Sequence, residues 1–512
     1  MMKESIPPIL RPEQVVPVDF GALCEHFGLN RIHQGTAHLT GISMNTADLL
    51  PGDLFVAMPG LKTHGAKFAE RAVELGAAAV ITDAEGATLI PETIPSALLE
   101  HPRLQLGELA AFVYSNNPKT MPKIFGTTGT NGKTSTSYLL EAILRQLGEV
   151  TGLTSTAERH IAGEVIVSRL TTPESTEMHA LIARMREKHV TSVAIEVSAQ
   201  ALSQHRVDGL IFDVAGFTNL SHDHLDDYGD MESYFRAKAA LFTPTHAKRG
   251  VICVDTVYGQ RLVALSEIPV LTVTHLDEVP ADYRVRVLAE EPTHTSFEVS
   301  APNGDTLISS VPLIGAHMAY NAALAIVMLI EAGFEFEHVA RAIADGIRAY
   351  LPGRTERVTG LTGPDIFVDF GHSPDAFLNT LAAVRKVTKG KVLMLFGADG
   401  DRDASKRPDM ARVAARGCDI LVITDHHPRF EEPASIRATL VSEARKARPD
   451  LEIHEVSPPE AAIRLAVSLV SEGDSILWAG PGHQDYRDIR GVRTVYSARS
   501  EARQALKEAG WQ

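Results

Sequence analysis

The sequence predicts an α/β protein of three domains built on parallel sheets, and three observations point there. The chain has 512 residues, which at roughly 150 residues per domain suggests about three domains. Short apolar runs typical of buried strands alternate with helical stretches, and this alternation favours parallel sheets covered by helices. Two proline-rich joints, at residues 115–123 and 350–358, divide the chain near residues 117 and 351.

The first predicted domain, residues 1–116, contains two apolar runs that predict buried strands, LFVAMPG (54–60) and AAAVITD (77–83). The stretch between them predicts a helix that ends at Gly76, because glycine readily takes the left-handed conformation at a helix C-terminus.

The middle domain, 117–351, opens with the strand KIFGTTGT (123–130) and a helix over 133–148, and continues with the strand SVAIEVS (192–198) and the apolar helix 321–333. The last domain, 352–512, shows the same alternation of strands and helices, with predicted strands at 391–400, 419–425 and 474–480. Ligands of parallel sheets bind at the carboxyl ends of the strands. We therefore expect the chemistry just after these runs.

Composition and charge exclude several classes of protein. Hydrophobic residues make up 44% and charged residues 22% of the chain, as in ordinary globular proteins. The net charge of −15 argues against nucleic-acid binding by bulk charge. Cys24, Cys253 and Cys418 form no CxxC pair, which fits a reducing cytosol. The N-terminus lacks the apolar core of a signal peptide, and the most apolar helical stretch, 322–330, is too short to span a bilayer. We expect a cytoplasmic protein.

The strongest motif is GTTGTNGKTST (126–136), which follows a strand and opens a helix. The backbone N–H groups of such a glycine-rich turn cradle phosphates. Lys133 would reach the β- and γ-phosphates of ATP, and the Thr134 hydroxyl would hold Mg²⁺. The spacing departs from the common Walker loop, because Thr127 stands where a glycine is usual. A plain glycine-rich turn is the alternative, and the Lys-Thr pair in this context argues against it.

Three further features follow the next strands of the middle domain. Glu196 ends a buried strand, where an acid would complete a Mg²⁺ shell. Acidic and imidazole side chains suited to a second cation or to a charged substrate crowd one turn: His222, Asp223, His224, Asp226 and Asp227. Lys238 lies in an apolar-aromatic helix. The alternatives are an ordinary strand-end acid, a solvated acidic loop and a snorkelling surface lysine.

In the last domain, basic and polar side chains follow three strands: Arg402, Lys406 and Arg407, then HHPR (426–429), then GPGHQDY (480–486). Three such strand ends could form one pocket for a carboxylate-bearing ligand. Solvated loop charge is the alternative.

Taken together, these motifs resemble the Mur ligase family, most closely its MurE type. Matches run in order over nearly the whole chain: PGDLFVAMPG, GTNGKTST, LTTPE, EVSAQAL, HRVDG, FTNLSHDHLD, AKAALF, PGRTER, VDFGHSPDA, GDRDASKRP and GPGHQDY. The resemblance implies a UDP-sugar-binding domain over 1–116, a central P-loop ATPase domain over 117–351, and a C-terminal Rossmann-like domain over 352–512 that brings the incoming amino acid.

The resemblance also implies the reaction. ATP would phosphorylate the γ-carboxylate of D-Glu in UDP-N-acetylmuramoyl-L-Ala-D-Glu, and an amino acid would displace phosphate to form an amide of the peptidoglycan precursor. Lys133, His224 and Lys238 would be catalytic. Thr134 and Glu196 would hold one Mg²⁺, and His224 and a carbamylated Lys238 a second. Carbamylation turns a cation into an anionic oxygen ligand, which explains a lysine beside a metal.

The family's binding residues carry over to named positions in this sequence. ATP contacts would come from Gly129, Thr130, Asn131, Gly132, Lys133, Thr134, Ser135, Asn321, Arg354 and Asp369. Contacts to the UDP-muramoyl dipeptide would come from Met44, Thr46, the turn 61–63, Thr171, Thr172, Ser198, Gln204 and Arg206. Contacts to the incoming amino acid would come from Arg402, His427, Arg429, Gly480 and Gln484.

Several loops depart from the family's usual pattern. Asn45-Thr46-Ala47 replaces Asp-Ser-Arg, His426-His427-Pro428-Arg429 replaces Asp-Asn-Pro-Arg, and Gln484 replaces a glutamate. Arg429 favours meso-diaminopimelate as the incoming amino acid, whereas Gln484 and the two histidines favour lysine, ornithine or another amino acid. Two other readings stay open: a paralogous ligase with a different carboxylate donor outside the main wall pathway, and a silent nucleotide-binding module. The intact Lys133 and Glu196 argue against the silent module. We expect a monomer that binds neither nucleic acid nor membrane.

Overall fold

Three main sheets follow one another along the chain in the computed structural model, which describes residues 9–60, 62–223 and 225–511. Helices cover them, and two small two-stranded sheets complete the described strands. The predicted three-domain α/β fold is thereby confirmed. The domain borders proposed at residues 116/117 and 351/352 stay a prediction.

The first sheet has five strands in the order β2-β7-β6-β5-β4, parallel except at β2. Its region contains β1 (Val18–Asp19), α1 (Phe20–Phe27), β2 (Asn30–His33), β3 (His38–Leu39), β4 (Gly41–Ser43), β5 (Asp53–Ala57), α2 (Ala69–Glu74), β6 (Ala79–Thr82), β7 (Ser96–Leu98) and α3 (Pro102–Val113). The runs predicted as strands form β5 and β6. The helix predicted to end at Gly76 is a 3₁₀ turn followed by α2, and Gly76 has a φ of 92°.

The central sheet has eleven strands in the order β11-β10-β9-β12-β8-β13-β14-β15-β16-β17-β18. Its first elements are β8 (Lys123–Thr128), α4 (Lys133–Gln146), β9 (Thr151–Thr154), β10 (Glu158–Ile161), β11 (Glu164–Val167), α5 (Ser175–Glu187), β12 (Ser192–Glu196), α6 (Ala199–Ser203), β13 (Phe212–Phe217), α7 (Leu225–Tyr228) and α8 (Met231–Ala239). It continues with β14 (Ala247–Cys253), α9 (Val257–Leu265), β15 (Val270–Thr274), β16 (Tyr283–Glu291), β17 (His294–Ser300), β18 (Thr306–Val311), α10 (Ala316–Glu331) and α11 (Phe336–Ala342).

The third sheet has six strands in the order β19-β20-β24-β21-β22-β23, parallel except at β19. Its region contains β19 (Glu356–Arg357), β20 (Asp365–Asp369), α12 (Pro374–Val387), β21 (Val392–Phe396), α13 (Arg407–Gly417), β22 (Ile420–Ile423), α14 (Pro433–Ala447), β23 (Glu452–Glu455), α15 (Pro459–Ser468), β24 (Ser475–Ala479), β25 (Tyr486–Ile489), β26 (Val492–Val495) and α16 (Ala498–Glu508). Proline opens α12, α14 and α15, where its missing N–H has no intrahelical role.

The largest core lies between the central sheet and α10, an apolar helix that is buried on almost every side. The sequence predicted this helix from residue 321, and it begins five residues earlier, at Ala316. No helix among the described residues is long and apolar enough to cross a membrane.

Candidate active site between the three sheets

The phosphate loop lies between β8 and α4, as the motif predicts. Gly132 has a φ of 86°, and a Cβ atom there would lie 2.4 Å from Oδ1 of Asn321. A side chain at 132 would therefore clash with α10, which explains the glycine. Lys133 begins α4, and its Nζ donates a hydrogen bond of 2.8 Å to the carbonyl oxygen of Thr130. Burial lowers the pKa of Lys133, against the opposing charges of Glu196 and Asp223.

Oxygen ligands converge where β12 ends. The Thr134 hydroxyl donates to Oε2 of Glu196 at 3.0 Å. The same carboxylate oxygen accepts the N–H and the hydroxyl of Thr156 at 2.7 and 3.0 Å. A buried carboxylate beside hydroxyls is the hard donor set that Mg²⁺ prefers, so Thr134 and Glu196 fit the cation that the phosphate loop implies.

Lys238 is buried beside the same loop. Its side chain is 1% exposed, its Nζ lies 4.4 Å from the ring centroid of Tyr234, and it donates to the carbonyl oxygen of Gly129 at 2.6 Å. Burial and the nearby Lys133 hold the pKa of Lys238 well below its ordinary value. A neutral amine is the form that reacts with CO₂, so this environment fits carbamylation. His224, predicted as its metal partner, lies outside the described residues.

Arg354 extends the nucleotide side of the site from the third sheet. Its Nη2 donates to the Thr134 hydroxyl at 2.8 Å, and its guanidinium lies 4.4 Å from the ring centroid of Phe370. The other amino nitrogen, Nη1, is buried without a hydrogen-bond partner among the described residues. Asp369 accepts the N–H of Thr355 at 2.8 Å. A buried N–H group without a hydrogen-bond partner costs free energy. A phosphate oxygen bound here would accept that hydrogen bond.

The residues predicted to bind the muramoyl dipeptide lie on the other side of Glu196. The Thr172 hydroxyl donates to the carbonyl oxygen of Glu196 at 2.8 Å and accepts the N–H of Ser198 at 3.0 Å. Arg206 forms an ion pair of 2.9 Å with Glu174 and donates to Gln204 at 2.6 Å. Thr172 and Gln204 thus hold their neighbours in place.

On the third sheet, His426 and His427 follow β22 and form a wall with Asp399 and Gln484. Nδ1 of His427 accepts the N–H of Asp488 at 3.0 Å, so Nε2 carries the proton and donates to Oε1 of Gln484 at 2.8 Å. Among the described residues, one group of side chains has its ligand atoms close enough together to hold a metal ion, and it consists of Asp399, His426 and His427. The protonated Nε2 of His427 is occupied by Gln484, however, and its Nδ1 by the backbone. This tautomer argues against metal binding.

Two contacts of Asp223 join the central sheet to the third sheet beside the phosphate loop. Nζ of Lys406 lies 2.9 Å from Oδ1 of Asp223, and both side chains are buried. Nε2 of His372 lies 4.0 Å from Oδ2 of the same aspartate. These contacts place the loop after β21 against the predicted cation-binding turn.

One cavity of about 1290 Å³ extends from the phosphate loop past Glu196 and Arg206 to the strand ends of the third sheet. Most of the predicted site residues line it: Met44, Thr130, Asn131, Gly132, Lys133, Thr134, Ser135, Thr171, Glu196, Ser198, Arg206, Lys238, Asn321, Arg354, Asp369, Arg402, His427, Arg429, Gly480 and Gln484. Six described residues of the predicted site are not in its lining: Thr46, Lys62, Thr63, Gly129, Thr172 and Gln204. The turn 61–63 includes residue 61, which lies outside the described residues.

Several lining residues were not predicted from the sequence: Thr156, Glu158, Arg169, Asp399 and Arg493. Asp399 had a usable signal, since it directly follows a predicted strand. Thr156 and Glu158 carried none, because the short hairpin of β10 and β11 was not predicted.

Comparison with known families gives matches along most of the chain. The Mur ligase family, catalytic domain, matches residues 38–116. The Mur ligase middle domain matches residues 127–329, and the Mur ligase, glutamate ligase domain, matches residues 353–482.

Named relatives cover the whole chain. A UDP-N-acetylmuramyl-tripeptide synthetase of Leifsonia xyli is 53% identical over 100% of both chains. A UDP-N-acetylmuramoyl-L-alanyl-D-glutamate--2,6-diaminopimelate ligase of Streptomyces coelicolor is 40% identical, over 97% of this chain and 98% of that protein.

Solved structures agree in fold. A UDP-N-acetylmuramoyl-L-alanyl-D-glutamate--2,6-diaminopimelate ligase superposes with a TM-score of 0.64 at 25% identity, over 93% of this chain and 96% of that one. MurF from Acinetobacter baumannii has a TM-score of 0.69 at 17% identity, over 91% and 96%, and this likeness concerns the fold alone. The chain therefore belongs to the Mur ligase family and is an ATP-dependent ligase that forms peptide bonds.

Proposed function

We propose that this enzyme adds the third amino acid, a diamino acid such as meso-diaminopimelate or L-lysine, to UDP-N-acetylmuramoyl-L-Ala-D-Glu. The printed names of the full-length relatives support this donor. The observation that carries the proposal is the single cavity, which joins the phosphate loop, the Thr171–Arg206 face and the strand ends of the third sheet. A nucleotide, a carboxylate donor and an amine can meet there.

The chemistry proceeds in two displacements. An oxygen of the D-Glu γ-carboxylate attacks the γ-phosphorus of ATP, ADP leaves, and an acyl phosphate forms. The amine of the incoming amino acid then attacks the acyl carbon, loses a proton, and expels phosphate as the amide forms. Activation is needed because a carboxylate in water is a poor electrophile, and phosphate supplies the leaving group.

The residues that line the cavity have different roles, according to where they lie. Lys133 and Arg354 neutralise phosphoryl charge in a buried setting, where such interactions are strong. Thr134 and Glu196 would hold a Mg²⁺, with a carbamylated Lys238 and His224 as ligands of a second, and the cations would offset charge on the transferring phosphoryl group. Arg206, steadied by Glu174, faces the cavity where the donor's carboxylate is expected.

A second candidate keeps the chemistry and changes the donor. Ala47 leaves the first domain without the arginine of the usual Asp-Ser-Arg signature, and Thr46 is not in the cavity lining. A paralogous ligase acting on another UDP-sugar or acid would account for this loss.

Phosphate release from ATP tests the two candidates. The enzyme is mixed with ATP, Mg²⁺ and UDP-N-acetylmuramoyl-L-Ala-D-Glu, and each amino acid is added singly. We expect release with one diamino acid and none without the donor. Folded enzyme that releases no phosphate with any amino acid would favour the paralogue.

A further inference from the structure

The wall of the cavity on the third sheet contains a buried carboxylate oxygen, Oδ1 of Asp399, that has no hydrogen-bond partner among the described residues. Oδ1 of Asp399 lies 3.6 Å from Nε2 of His426, and Oδ2 lies 3.9 Å from Nη2 of Arg429. Both distances exceed those of hydrogen bonds. A buried carboxylate oxygen in this state is costly unless a ligand supplies the missing donor.

The neighbours of Asp399 leave its charge only partly compensated. Burial opposes its ionisation, but the pKa of Asp399 still lies below its ordinary value, with Arg429 as a charged neighbour, so it is ionised at neutral pH. Burial lowers the pKa of His426 to about 3, so that imidazole is neutral. Arg429 lies 3.9 Å from the carboxylate and makes no hydrogen bond to it, and Arg407 donates to the backbone carbonyl oxygen of Asp399 at 2.8 Å.

Gln484 cannot take the place of this carboxylate. The N–H of Asp488 fixes the tautomer of His427, and the Nε2–H of His427 donates to the side-chain oxygen of Gln484. The amide nitrogen of Gln484, which is a donor, lies 3.4 Å from the Tyr486 hydroxyl. Position 484 therefore offers an ammonium ion no negative charge, and its one acceptor oxygen is already shared with His427.

Asp399, His426 and Gln484 follow β21, β22 and β24, three adjacent strands whose carboxyl ends form one edge of the sheet. Arg402 and Arg429 line the same part of the cavity and can bind a carboxylate. We propose that Asp399 binds the side-chain ammonium of the incoming amino acid and so selects a diamino acid. This role rests on the function proposed above.

Pairs of amino acids that differ only in the side-chain ammonium test this role. L-Lysine is compared with L-norleucine, and meso-diaminopimelate with L-2-aminopimelate, by measuring kcat/KM for amide formation. We expect the wild-type enzyme to prefer the diamino member of one pair by about 30-fold or more, as a charged hydrogen bond of ordinary strength implies. In Asp399→Asn this preference should fall towards unity, with the KM values for ATP and the UDP-linked donor within about twofold of wild type.

Two further variants make the result specific. Asp399→Glu keeps the charge and should keep most of the preference. Asp401→Asn is the matched control, because Asp401 is an exposed acid of the same loop whose carboxylate accepts the N–H of Phe430 at 3.0 Å, a role that asparagine retains. It should behave like the wild-type enzyme.

Two results would overturn the assignment. Asp399→Asn could retain the wild-type preference, or it could lower kcat/KM equally for both members of a pair, which would indicate a structural role or contact with the reacting amine. Failure of the wild-type enzyme to make an amide with any amino acid is a different result, and it would overturn the proposed function as well.

Discussion

Nζ of Lys238 donates a hydrogen bond of 2.6 Å to the carbonyl oxygen of Gly129, across 109 residues of sequence. This contact ties α8 to the phosphate loop and buries an amine beside Lys133. Two buried lysines near one another repel when both are charged, and the low pKa of Lys238 reflects that repulsion together with burial. The arrangement suits a lysine that functions as an uncharged amine or as a carbamate.

We predict that Lys238→Ala is inactive and is partly rescued by a short carboxylic acid such as acetate, which would stand in for the carbamate. Turnover is measured against acid concentration. Arg236→Ala is the matched control, because Arg236 lies on the same helix and is 77% exposed. Full activity of Lys238→Ala without added acid would refute the carbamate role.

Lys133→Ala should lower kcat by about 1000-fold or more, because the phosphoryl group loses a buried positive charge during transfer. Binding of the UDP-linked donor, measured by calorimetry without ATP, should stay close to wild type. Lys446→Ala, which changes a lysine that is 68% exposed on α14, should have no effect. Turnover of Lys133→Ala at the wild-type rate would show that the loop has been misassigned.

The ion pair between Lys406 and Asp223 should contribute to catalysis by holding the third sheet against the central one. We expect Lys406→Met to lower kcat/KM for the amino acid by about tenfold, because it removes the buried positive charge that lies 2.9 Å from the carboxylate of Asp223. A double-mutant cycle with Asp223→Asn checks this. The pair variant should lose no more than the worse single variant, whereas additive losses would show that the two residues act separately.

His160 should make stability depend on pH. Its Nδ1 lies 2.8 Å from Glu141 and its Nε2 3.3 Å from Glu158. Burial disfavours the imidazolium, but the hydrogen bonds and charges of the two glutamates outweigh it and raise the pKa of His160 to about 9. Because the folded pKa exceeds the unfolded value, the stabilisation is complete below about pH 6.5 and is lost as pH rises through about 9.

The variant His160→Gln isolates this effect. The wild-type protein should exceed it by about 2–3 kcal/mol in the free energy of unfolding near pH 6, and the gap should shrink by pH 10. Urea titrations of both proteins at several pH values measure it. A gap that stays constant with pH would contradict the assigned charge state.

The sequence predicted the parallel strands and the helix after the phosphate loop because their patterns are local. A buried strand is a short apolar run, and Lys133 follows a recognisable glycine-rich turn. The sequence could not predict the antiparallel β16, β17 and β18 that extend the central sheet, since their alternating pattern does not reveal which edge they join.

The sequence predicted some residues of the site and missed others, again because only local patterns can be recognised in a sequence. Residues inside a motif, such as Glu196 and Arg354, line the cavity as expected. The contact of Lys406 with Asp223 joins residues 183 apart in sequence, and no local pattern indicates which charges will meet across two sheets. The tautomer of His427 likewise depends on the backbone N–H of Asp488, which only the folded loop positions.

The transfer of isotopic oxygen from donor to phosphate tests whether the enzyme forms an acyl phosphate. UDP-N-acetylmuramoyl-L-Ala-D-Glu is prepared with ¹⁸O in the γ-carboxylate of its D-Glu, and the released phosphate is analysed by mass spectrometry after turnover with ATP and the active amino acid. Ligation through an acyl phosphate predicts one ¹⁸O atom in phosphate for each amide formed. Amide formation with unlabelled phosphate would show that the γ-carboxylate is not activated by phosphorylation.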